Sequence, residues 1–468
     1  MTNLSGINLN NGSAVGAKRE GMVSPSHSLA LMPKYEAYKN SGEDWIGDIP
    51  EEWLLRRFKF LITEINERSQ SGEENLLSVS QYTGVTNKSD KLGEGDLITN
   101  AESLEGYKKV TKGDLVSNIM LAWNGSLGVS PFDGITSPAY AVYRFGNECL
   151  DRFYHYLLRT ELYKSEFKRR STGVIESRLR LYTDDFFDVV GILPSLKEQL
   201  LIACFLDKKT AQIDDAIAIK DQQINLLKER KQIIIQQAVT QGLDPNVPMK
   251  DSCVDWIGKI PAHWDITKIS NITNTTSGST PQSGNVEAYY NGNIPWVRTT
   301  DLNDDLLFDT PEKITYKALR ETSCKLVPEN SVCVAMYGGA GTIGKHALLK
   351  FSGTVNQAVC AILPCHKLVP KFLYYYMKFY RPHWMIVAKG SRVDPNISQD
   401  QVRRMPITLP SIQEQTTIVD FINDQLGMFN DAEGFYLQQI EKLKEYKTTL
   451  INSAVTGKIK IIPEMIEH

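Results

Sequence analysis

The feature that most limits the fold of this chain is that its scaffold segments occur twice, about 211 to 217 residues apart. The middles of the two copies, roughly 55–190 and 266–406, differ strongly. One duplicated scaffold therefore carries two different inserts, and we expect a pseudo-two-fold internal repeat. The first repeated segment, Asp44–Pro50 followed by Trp53, returns as Asp255–Pro261 followed by Trp264. The second, Leu193–Ser195 followed by Glu198-Gln199, returns as Leu409–Ser411 followed by Glu414-Gln415. Two shorter segments, Leu227–Glu229 and Ala238–Thr240, return as Leu443–Glu445 and Ala454–Thr456.

Each insert has the pattern of a mixed α and β domain, with runs rich in Val and Ile bounded by Gly, Asn and Pro. A predicted helix follows the strands of each insert, at about Asp151–Arg170 in the first and Lys371–Lys389 in the second. Within the second helix we expect Tyr374–Tyr376 to belong to the core. The predicted strands are Leu76–Gln81, Asp114–Met120, Ala139–Phe145, Ile294–Leu302, Ser331–Tyr337 and Thr354–Leu363.

Each copy closes on a long helix in which seam residues recur at spacings of four and three, as in a coiled coil. The seams consist of Leu206, Thr210, Ile213, Ile217, Lys220, Ile224, Leu227, Lys231, Ile234 and Ala238, and of Ile422, Leu426, Phe429, Glu433, Tyr436, Ile440, Leu443, Lys447, Leu450 and Ala454. Lysine interrupts both seams at matching places, so we expect these helices to pair with each other. The predicted fold class is α+β, with two mixed α/β domains separated and joined by two long helices that pair as an antiparallel coiled coil.

Composition excludes several classes of protein. No apolar run is long enough to cross a bilayer, and the seven cysteines form no C-x-x-C pair, which favours a cytoplasmic protein without a disulfide frame or metal site. The formal net charge is −3, yet the stretch from Asn330 to Val393 contains no acidic residue and eight basic ones. Such a stretch favours a polyanionic partner. The alternative is a solvated basic face.

Catalytic motifs are not convincing. Gly339–Lys345 fits G-x-G-x-x-G and nearly fits a P-loop, but His346 stands where a P-loop needs Ser or Thr. The equivalent place in the first copy, Trp123–Val129, has two glycines and no lysine. Motifs of amino-methyltransferases, magnesium nucleases and hydrolases are missing from the sequence. We therefore expect a binding protein without catalytic residues, metal or cofactor of its own.

In order, duplication and spacing, these segments resemble the specificity (S) subunit of type I restriction–modification systems. The residues that carry the resemblance are Pro33–Tyr35 with Asp44–Pro50, the segment Asp255–Trp264, the helix starts at 193–199 and 409–415, Lys228–Lys231 with Ala238–Gly242, and Ala454–Lys458. The resemblance implies two target-recognition domains, each reading half of an asymmetric bipartite DNA target. It also implies two methyltransferase (M) subunits and two restriction (R) subunits as partners. S-adenosylmethionine, ATP and magnesium would then be bound by those partners, which would supply the adenine methyltransferase and endonuclease activities.

The expected domain organisation follows the repeat. We expect a disordered extension at 1–31, a first target-recognition domain at 32–195 and a first spacer helix at 196–241. A linker at 242–254 leads to a second target-recognition domain at 255–410, a second spacer helix at 411–458 and a tail at 459–468.

Candidate DNA-contacting residues are chosen at strand ends and glycine turns, because Arg can read guanine while Lys, Ser and Thr more often contact phosphate. Packing of a turn, or ion pairs with nearby acids, is the alternative for each of them. They are Gln81, Tyr82, Trp123, Asn124, Arg178 and Arg180 in the first domain, and Arg298, Thr299, Thr300, Tyr337, Lys345, Ser391 and Arg392 in the second. Candidates for docking the methyltransferase, on outward faces of the long helices, are Gln199, Arg230 and Glu414.

Two other functions compete with this hypothesis. A self-sufficient DNA methyltransferase or nuclease would need a catalytic motif, and it would act without a partner. A coiled-coil scaffold with no role on DNA would have balanced, featureless inserts, which the acid-free basic stretch contradicts.

Overall fold

A computed structural model describes residues 29–88, 103–175, 179–339, 341–388 and 396–467. The chain divides into two compact units. The first consists of Met1–Lys220 together with Gln438–His468, and the second of Asp221–Leu437. The two long helices, Leu196–Gln241 and Ile412–Val455, each contribute residues to both units.

The first unit contains a four-stranded antiparallel sheet in the order β4–β11–β8–β9 and four two-stranded ladders, β1–β2, β3–β12, β5–β6 and β7–β10. Its short helices are Asp151–Leu157, Glu161–Arg170, Thr183–Phe187 and Glu464–Glu467. The strands are β1 (Tyr38–Asn40), β2 (Asp48–Pro50), β3 (Leu54–Arg57), β4 (Ile62–Glu64), β5 (Leu77–Ser80), β6 (Gly84–Asn87), β7 (Lys108–Val110), β8 (Leu115–Asn118), β9 (Leu127–Val129), β10 (Gly134–Thr136), β11 (Tyr140–Phe145) and β12 (Val190–Leu193).

The second unit contains a five-stranded sheet in the order β16–β23–β20–β21–β18, a three-stranded sheet β19–β17–β22, and the ladders β13–β14 and β15–β24. The pairs β18–β21 and β17–β22 are parallel. Its short helices are Ile269–Ile272, Val286–Tyr289, Tyr316–Glu321, Pro370–Ala388 and Gln399–Arg404. The strands are β13 (Met249–Asp251), β14 (Lys259–Pro261), β15 (Asp265–Lys268), β16 (Thr275–Ser277), β17 (Tyr290–Val297), β18 (Asp305–Leu307), β19 (Lys313–Ile314), β20 (Val332–Ala335), β21 (His346–Leu349), β22 (Thr354–Val355), β23 (Val359–Ile362) and β24 (Pro406–Leu409).

The core of the first unit is completed by residues from far along the chain. Aromatic rings fill its centre, where Phe58 stacks on Phe186 with ring centroids 5.1 Å apart. The same buried cluster includes Leu450, Ala454, Val455, Ile459 and Ile461. Because burial of apolar surface is the main force holding a fold together, the first unit depends on this C-terminal segment.

The core of the second unit lies between its five-stranded sheet and the helix Pro370–Ala388. The tyrosines Tyr374–Tyr376 are buried in this core together with Phe372 and Trp384, as the sequence predicts. Their hydroxyls donate to Asp304 O, Asn423 Oδ1 and Pro406 O. They are therefore core residues whose polar ends are satisfied, as buried polar groups must be.

The repeated Leu-Pro-Ser-x-x-Glu-Gln segment starts each long helix in the same way. Ser195 Oγ accepts from the backbone N–H of Glu198, a helix cap, and the Glu198 carboxylate accepts from the Trp53 indole at 3.1 Å. The amide of Gln199 is fully buried, and it joins Leu150 N, Glu148 O and Pro194 O. The motif therefore fastens the helix to the insert that precedes it.

The second copy repeats these contacts. Glu414 accepts from the Trp264 indole at 2.9 Å. The buried Gln415 accepts from the Val369 N–H and donates to Lys367 O and Pro410 O. The duplication seen in the sequence is thus a duplication of hydrogen-bond geometry.

Each long helix is followed by a glycine that lies against one of the repeated segments, Asp44–Trp53 or Asp255–Trp264. Gly457 follows the second helix with φ +74°, and a Cβ there would lie 2.5 Å from the Pro50 ring of the first unit. Gly242 follows the first helix with φ +75°, and a Cβ there would lie 3.2 Å from the Trp264 ring of the second unit. The left-handed backbone favours glycine at both helix ends, and at Gly457 the Pro50 ring also leaves no room for a Cβ.

The predicted seams face the interior along both long helices. Every seam residue is buried or half-buried. Within the second unit, Lys228 of the first long helix lies 3.8 Å from Glu433 of the second. Lys231, one turn further along the first helix, lies 2.8 Å from Asn430, one turn back along the second. Such pairing runs antiparallel, and the predicted fold class is confirmed.

Three predicted elements are wrong in their extent. The strand expected at Thr354–Leu363 is two strands, Thr354–Val355 and Val359–Ile362, and the strand expected at Ile294–Leu302 ends at Val297. The helix expected at about Asp151–Arg170 is two helices, Asp151–Leu157 and Glu161–Arg170. Thr160 separates them, because its extended backbone ends the first helix and its hydroxyl accepts from the Tyr163 N–H to cap the second.

Candidate nucleic-acid interface

The β5–β6 hairpin of the first unit carries two predicted contact residues, Gln81 and Tyr82, in its turn. Tyr82 is 83% exposed, and Gln81 is half-buried. The hydroxyls of Ser80 and Thr83 lie 2.8 Å apart and close the turn from below. A rigid turn with an exposed aromatic ring can stack on a base or reach its edge.

The Arg159 guanidinium lies directly beneath this turn. It donates through Nη2 to Gln81 O at 3.0 Å and Tyr82 O at 2.9 Å, and through Nη1 to Leu127 O at 2.7 Å. Burial lowers the pKa of Arg159. The sequence analysis missed this residue, because an arginine near the end of a short helix carries no signal of what it contacts.

The other predicted residues of the first unit have local partners or lie apart. Trp123 is half-buried, donates its indole N–H to Met120 O at 3.1 Å, and has the Lys168 ammonium 5.3 Å from its ring. Asn124 Oδ1 accepts from Ser126 Oγ at 2.9 Å. The polar groups of both predicted residues thus bond within their own turn.

Arg180 is exposed, and its backbone pairs with that of Thr172. Arg178 lies outside the described residues. The exposed side chain of Arg180 can therefore reach toward a ligand.

A groove of about 920 Å³ opens beside the hairpin turn. Its walls carry the basic residues Arg159, Lys164, Arg169, Lys447 and Lys458 and the acidic residues Glu161 and Glu166. Lys164 and Arg169 bind those two acids at 2.8 and 2.6 Å. Basic residues outnumber acidic ones in the lining by five to two, although Lys447 is also bound by Asp214 at 2.7 Å.

In the second unit, Arg298 is occupied by nearby acids. Its Nε lies 3.7 Å from Asp301, and its Nη1 lies 3.7 Å from Glu312. The ion-pair alternative therefore describes Arg298 as the structure has it. The neighbouring Thr300 is exposed and Thr299 half-buried, so Thr300 is the more accessible of the two.

The glycine segment of the second unit leads from β20 into another strand, β21. A Cβ on Gly344 would lie 2.3 Å from the Trp384 ring, so the segment packs tightly on the core. No helix follows Lys345, and a phosphate-cradling helix N-terminus is therefore not formed here. Tyr337, at the start of this turn, is 41% exposed, and Lys345 is half-buried.

In the acid-free stretch from Asn330 to Val393, fewer basic side chains are available to bind phosphate than its eight positive charges suggest. Arg381 forms an ion pair with Asp304, which lies outside the stretch in sequence, and also donates to Gly341 O at 3.4 Å. Lys378 donates to the Tyr374 hydroxyl at 3.3 Å, and burial lowers its pKa. Ser391 and Arg392, the remaining predicted contacts, lie outside the described residues.

The predicted docking residues do not share an outward face. The prediction is wrong for Gln199, whose side chain is 0% exposed and bound to backbone groups on all sides. Glu414 is half-buried against Trp264 and His263. Arg230 is exposed.

None of the helices in the described part of the chain combines the length and the apolar character of a membrane span. The same residues contain no group of three or more His, Cys, Asp or Glu side chains that could hold a metal ion.

Comparison with known proteins identifies relatives. Residues 261–442 match the family described as the type I restriction modification DNA specificity domain. The chain is 30% identical over 175 residues to the type I restriction enzyme MjaIX specificity subunit of Methanocaldococcus jannaschii, covering 36% of this chain and 40% of that protein. It is 25% identical over 257 residues to the EcoR124I/EcoR124II specificity subunit of Escherichia coli, covering 54% of this chain and 58% of that protein. The match spans less than two thirds of either relative.

The fold is similar to a chain in a solved structure that concerns complex assembly and conformational transition of the type I R-M system, with a TM-score of 0.66. The two chains are 16% identical, and the similarity covers 87% of this chain and 98% of the other. It therefore supports the fold. The matched domain and the two relatives confirm the resemblance found in the sequence: the chain is similar to the specificity subunits of type I restriction enzymes.

Proposed function

We propose that this chain is a non-catalytic, sequence-specific DNA-binding subunit that reads an asymmetric bipartite target. The observation that carries the proposal is the duplicated scaffold with its unlike inserts. Identical hydrogen-bond geometry fastens both inserts at Gln199 and Gln415, yet their sheets and exposed turns differ. Two unlike reading surfaces on one scaffold suit a target with two unlike halves.

The reading surfaces are proposed from exposure and chemistry. In the first unit the hairpin turn with Gln81 and Tyr82, and the exposed Arg180, are accessible. In the second unit Thr300, Tyr337 and Lys345 are at least partly accessible. Trp123, Asn124, Arg298 and Thr299 support these surfaces from within, and Arg178, Ser391 and Arg392 complete the proposed set.

The chemistry is assigned to partner subunits. Two methyltransferase subunits would bind S-adenosylmethionine and flip the adenine, and two restriction subunits would use ATP and magnesium to cut DNA. The complex would work in the cytoplasm, where it meets the chromosome and incoming DNA. On this chain we retain Arg230 and the neighbourhood of Glu414 as docking candidates.

The test is to co-express the full chain with the methyltransferase encoded beside it and to map methylated positions by single-molecule sequencing. Methylation should be confined to one bipartite motif. A chimera with residues 55–190 from another specificity subunit should change one half of that motif only, and a chimera at 266–406 should change the other half. The proposal fails if the methylated motif does not depend on this chain. Methylation by the purified chain with S-adenosylmethionine alone would favour a self-sufficient enzyme.

A further inference from the structure

We propose that Arg159 is a positioning residue that sets the stringency with which the first half of the target is read. This inference rests on the proposed function. Arg159 would not touch DNA. It would hold two separate turns of the first unit as one rigid reading surface.

The fork of the guanidinium spans two separate parts of the chain. Through Nη2 it holds the hairpin turn, at Gln81 O and Tyr82 O, at 3.0 and 2.9 Å. Through Nη1 it holds the turn that leads into β9, at Leu127 O, at 2.7 Å, with Gly125 O at 3.4 Å. Only arginine has a planar fork of donors that can bind two turns at once.

These two turns carry four of the six predicted contacts of the first unit. Tyr82 lies on one of them, and Trp123 and Asn124 lie in the short helix Ala122–Asn124 at the start of the other. Arg159 is therefore the direct link between the two groups of predicted DNA-contacting residues.

The charge of Arg159 is balanced by carbonyl dipoles. Among the described residues, no carboxylate lies within ion-pair distance of its guanidinium, although other arginines of this unit, such as Arg144 and Arg152, bind aspartates. An arginine that only stabilised the fold could use such an acid. Here the donors of the guanidinium are taken up by backbone carbonyls of the two turns, so the side chain is placed to hold those turns together.

The hairpin leaves no spare room above this arginine. A Cβ on Gly84 would lie 3.3 Å from Arg159 Nη1, and a Cβ on Gly128 would lie 3.1 Å from the Gly84 backbone. Among the described residues, the strands β5 and β6 pair with each other, and the bridge Leu76–Ile135 holds the base of the hairpin. Because its base is packed and its tip projects, the fork is what fixes the direction of the tip.

The experiment compares Arg159→Met, Arg159→Lys and the control Arg68→Met in the full chain with its methyltransferase. Arg68 is an exposed arginine of the same unit that donates to a single carbonyl, Gly106 O. Single-molecule sequencing gives, for each half of the motif, the ratio of methylation at the intact site to methylation at sites with one substitution. The half read by the first unit is the one that the 55–190 chimera changes.

Arg159→Met should lower the ratio for the first half about 10-fold relative to the unaltered chain, a change within the range that one mismatched base pair causes. The ratio for the second half should stay within about 2-fold of its value in the unaltered chain. Arg159→Lys keeps the charge but has no fork, so it should also lose first-half stringency. Arg68→Met should match the unaltered chain.

Three results would overturn the positioning role. The first is an unchanged first-half ratio in both Arg159 variants. The second is full rescue by lysine, which would assign the effect to charge alone. The third is an equal fall of both ratios with a lower melting temperature, which would show general loss of the fold. If the unaltered chain directs no motif at all, the proposed function itself fails, and that result is distinct from these three.

Discussion

The Lys447 ammonium lies 2.7 Å from both carboxylate oxygens of Asp214. Lys231, which stands 216 residues earlier, makes the matching contact with Asn430 at 2.8 Å and adds Glu433 at 2.6 Å. Asp214 and Asn430 are themselves 216 residues apart. The two copies therefore neutralise the same seam lysine with acids from different positions.

This relationship predicts the effect of removing one lysine. Lys231→Met leaves the half-buried Glu433 with only the more distant and exposed Lys228 at 3.8 Å, and we expect it to destabilise the second unit by about 1 kcal/mol. The double variant Lys231→Met with Glu433→Leu removes the whole pair from the seam and should regain most of that loss. Chemical denaturation of the full chain measures both. Lys444→Met, in an exposed pair with Glu441, should change stability by less than about 0.5 kcal/mol. Equal losses in the single and double variants would contradict this interpretation of the seam.

The buried amide of Gln199 should be costly to lose. Gln199→Ala leaves Leu150 N, Glu148 O and Pro194 O without their partner, and we expect a loss of about 2–3 kcal/mol. Gln222→Ala, on the exposed side of the same helix, is the matched control and should be nearly neutral. Thermal melting of the two variants decides the matter. A melting temperature for Gln199→Ala equal to that of the control would contradict a stabilising role for the buried Gln199 amide.

Two glycines should respond to alanine with opposite signs. At Gly457 the backbone is left-handed and a Cβ would overlap Pro50, so Gly457→Ala should destabilise by about 1–3 kcal/mol. Gly427 lies inside the second long helix with nothing within 4 Å of its Cβ position, so Gly427→Ala should stabilise by up to about 1 kcal/mol. Denaturant midpoints measure both changes. Loss of stability in Gly427→Ala would indicate that this helix face needs the glycine.

Stability should fall in mild acid because of His155. Burial, with the positive charges of Arg159 and Arg152, lowers the pKa of His155 to about 3, and the Val129 N–H donates to its Nδ1. In the unfolded chain a histidine titrates near ~6.5, so below that pH the unfolded state binds a proton that the folded state excludes. The free energy of unfolding should be highest above pH ~6.5 and about 1–2 kcal/mol lower at pH 5.

His155→Asn keeps an acceptor for Val129 and should flatten this part of the pH profile of unfolding. His366→Asn, at an exposed histidine, is the control and should leave the profile unchanged. If His155→Asn retained the full slope between pH 7 and 5, the acid sensitivity would have to come from other groups.

Features that depend on local periodicity could be predicted from the sequence. The sequence predicts the first spacer helix at 196–241 and the structure has it at Leu196–Gln241, because the seam spacing of four and three continues over many turns. The break at Thr160 was missed, because the apolar pattern continues across it and only the cap reveals it. Helical periodicity gives the face of a helix but not the tertiary contact that interrupts it.

Contacts between distant residues could not be predicted. The Asp304 that occupies Arg381 lies 77 residues away, and the turns held by Arg159 lie 32 and 77 to 78 residues before it. Charge counted along the chain therefore overestimated the free cations near Arg381 and gave no sign of Arg159. The repeated Gln199 and Gln415 were recognised as a motif, but a polar residue near the start of a long helix looks exposed until its burial is known.

The core of the first unit includes Leu450, Ala454 and Ile461, whereas all residues of the second unit lie between Asp221 and Leu437. Protein synthesis delivers the chain from residue 1 upward, and domains generally fold as units once their residues have emerged from the ribosome. The order of completion is therefore reversed with respect to the gene. We therefore expect the unit that is translated first to keep part of its apolar core open until the chain has been made as far as residue 461.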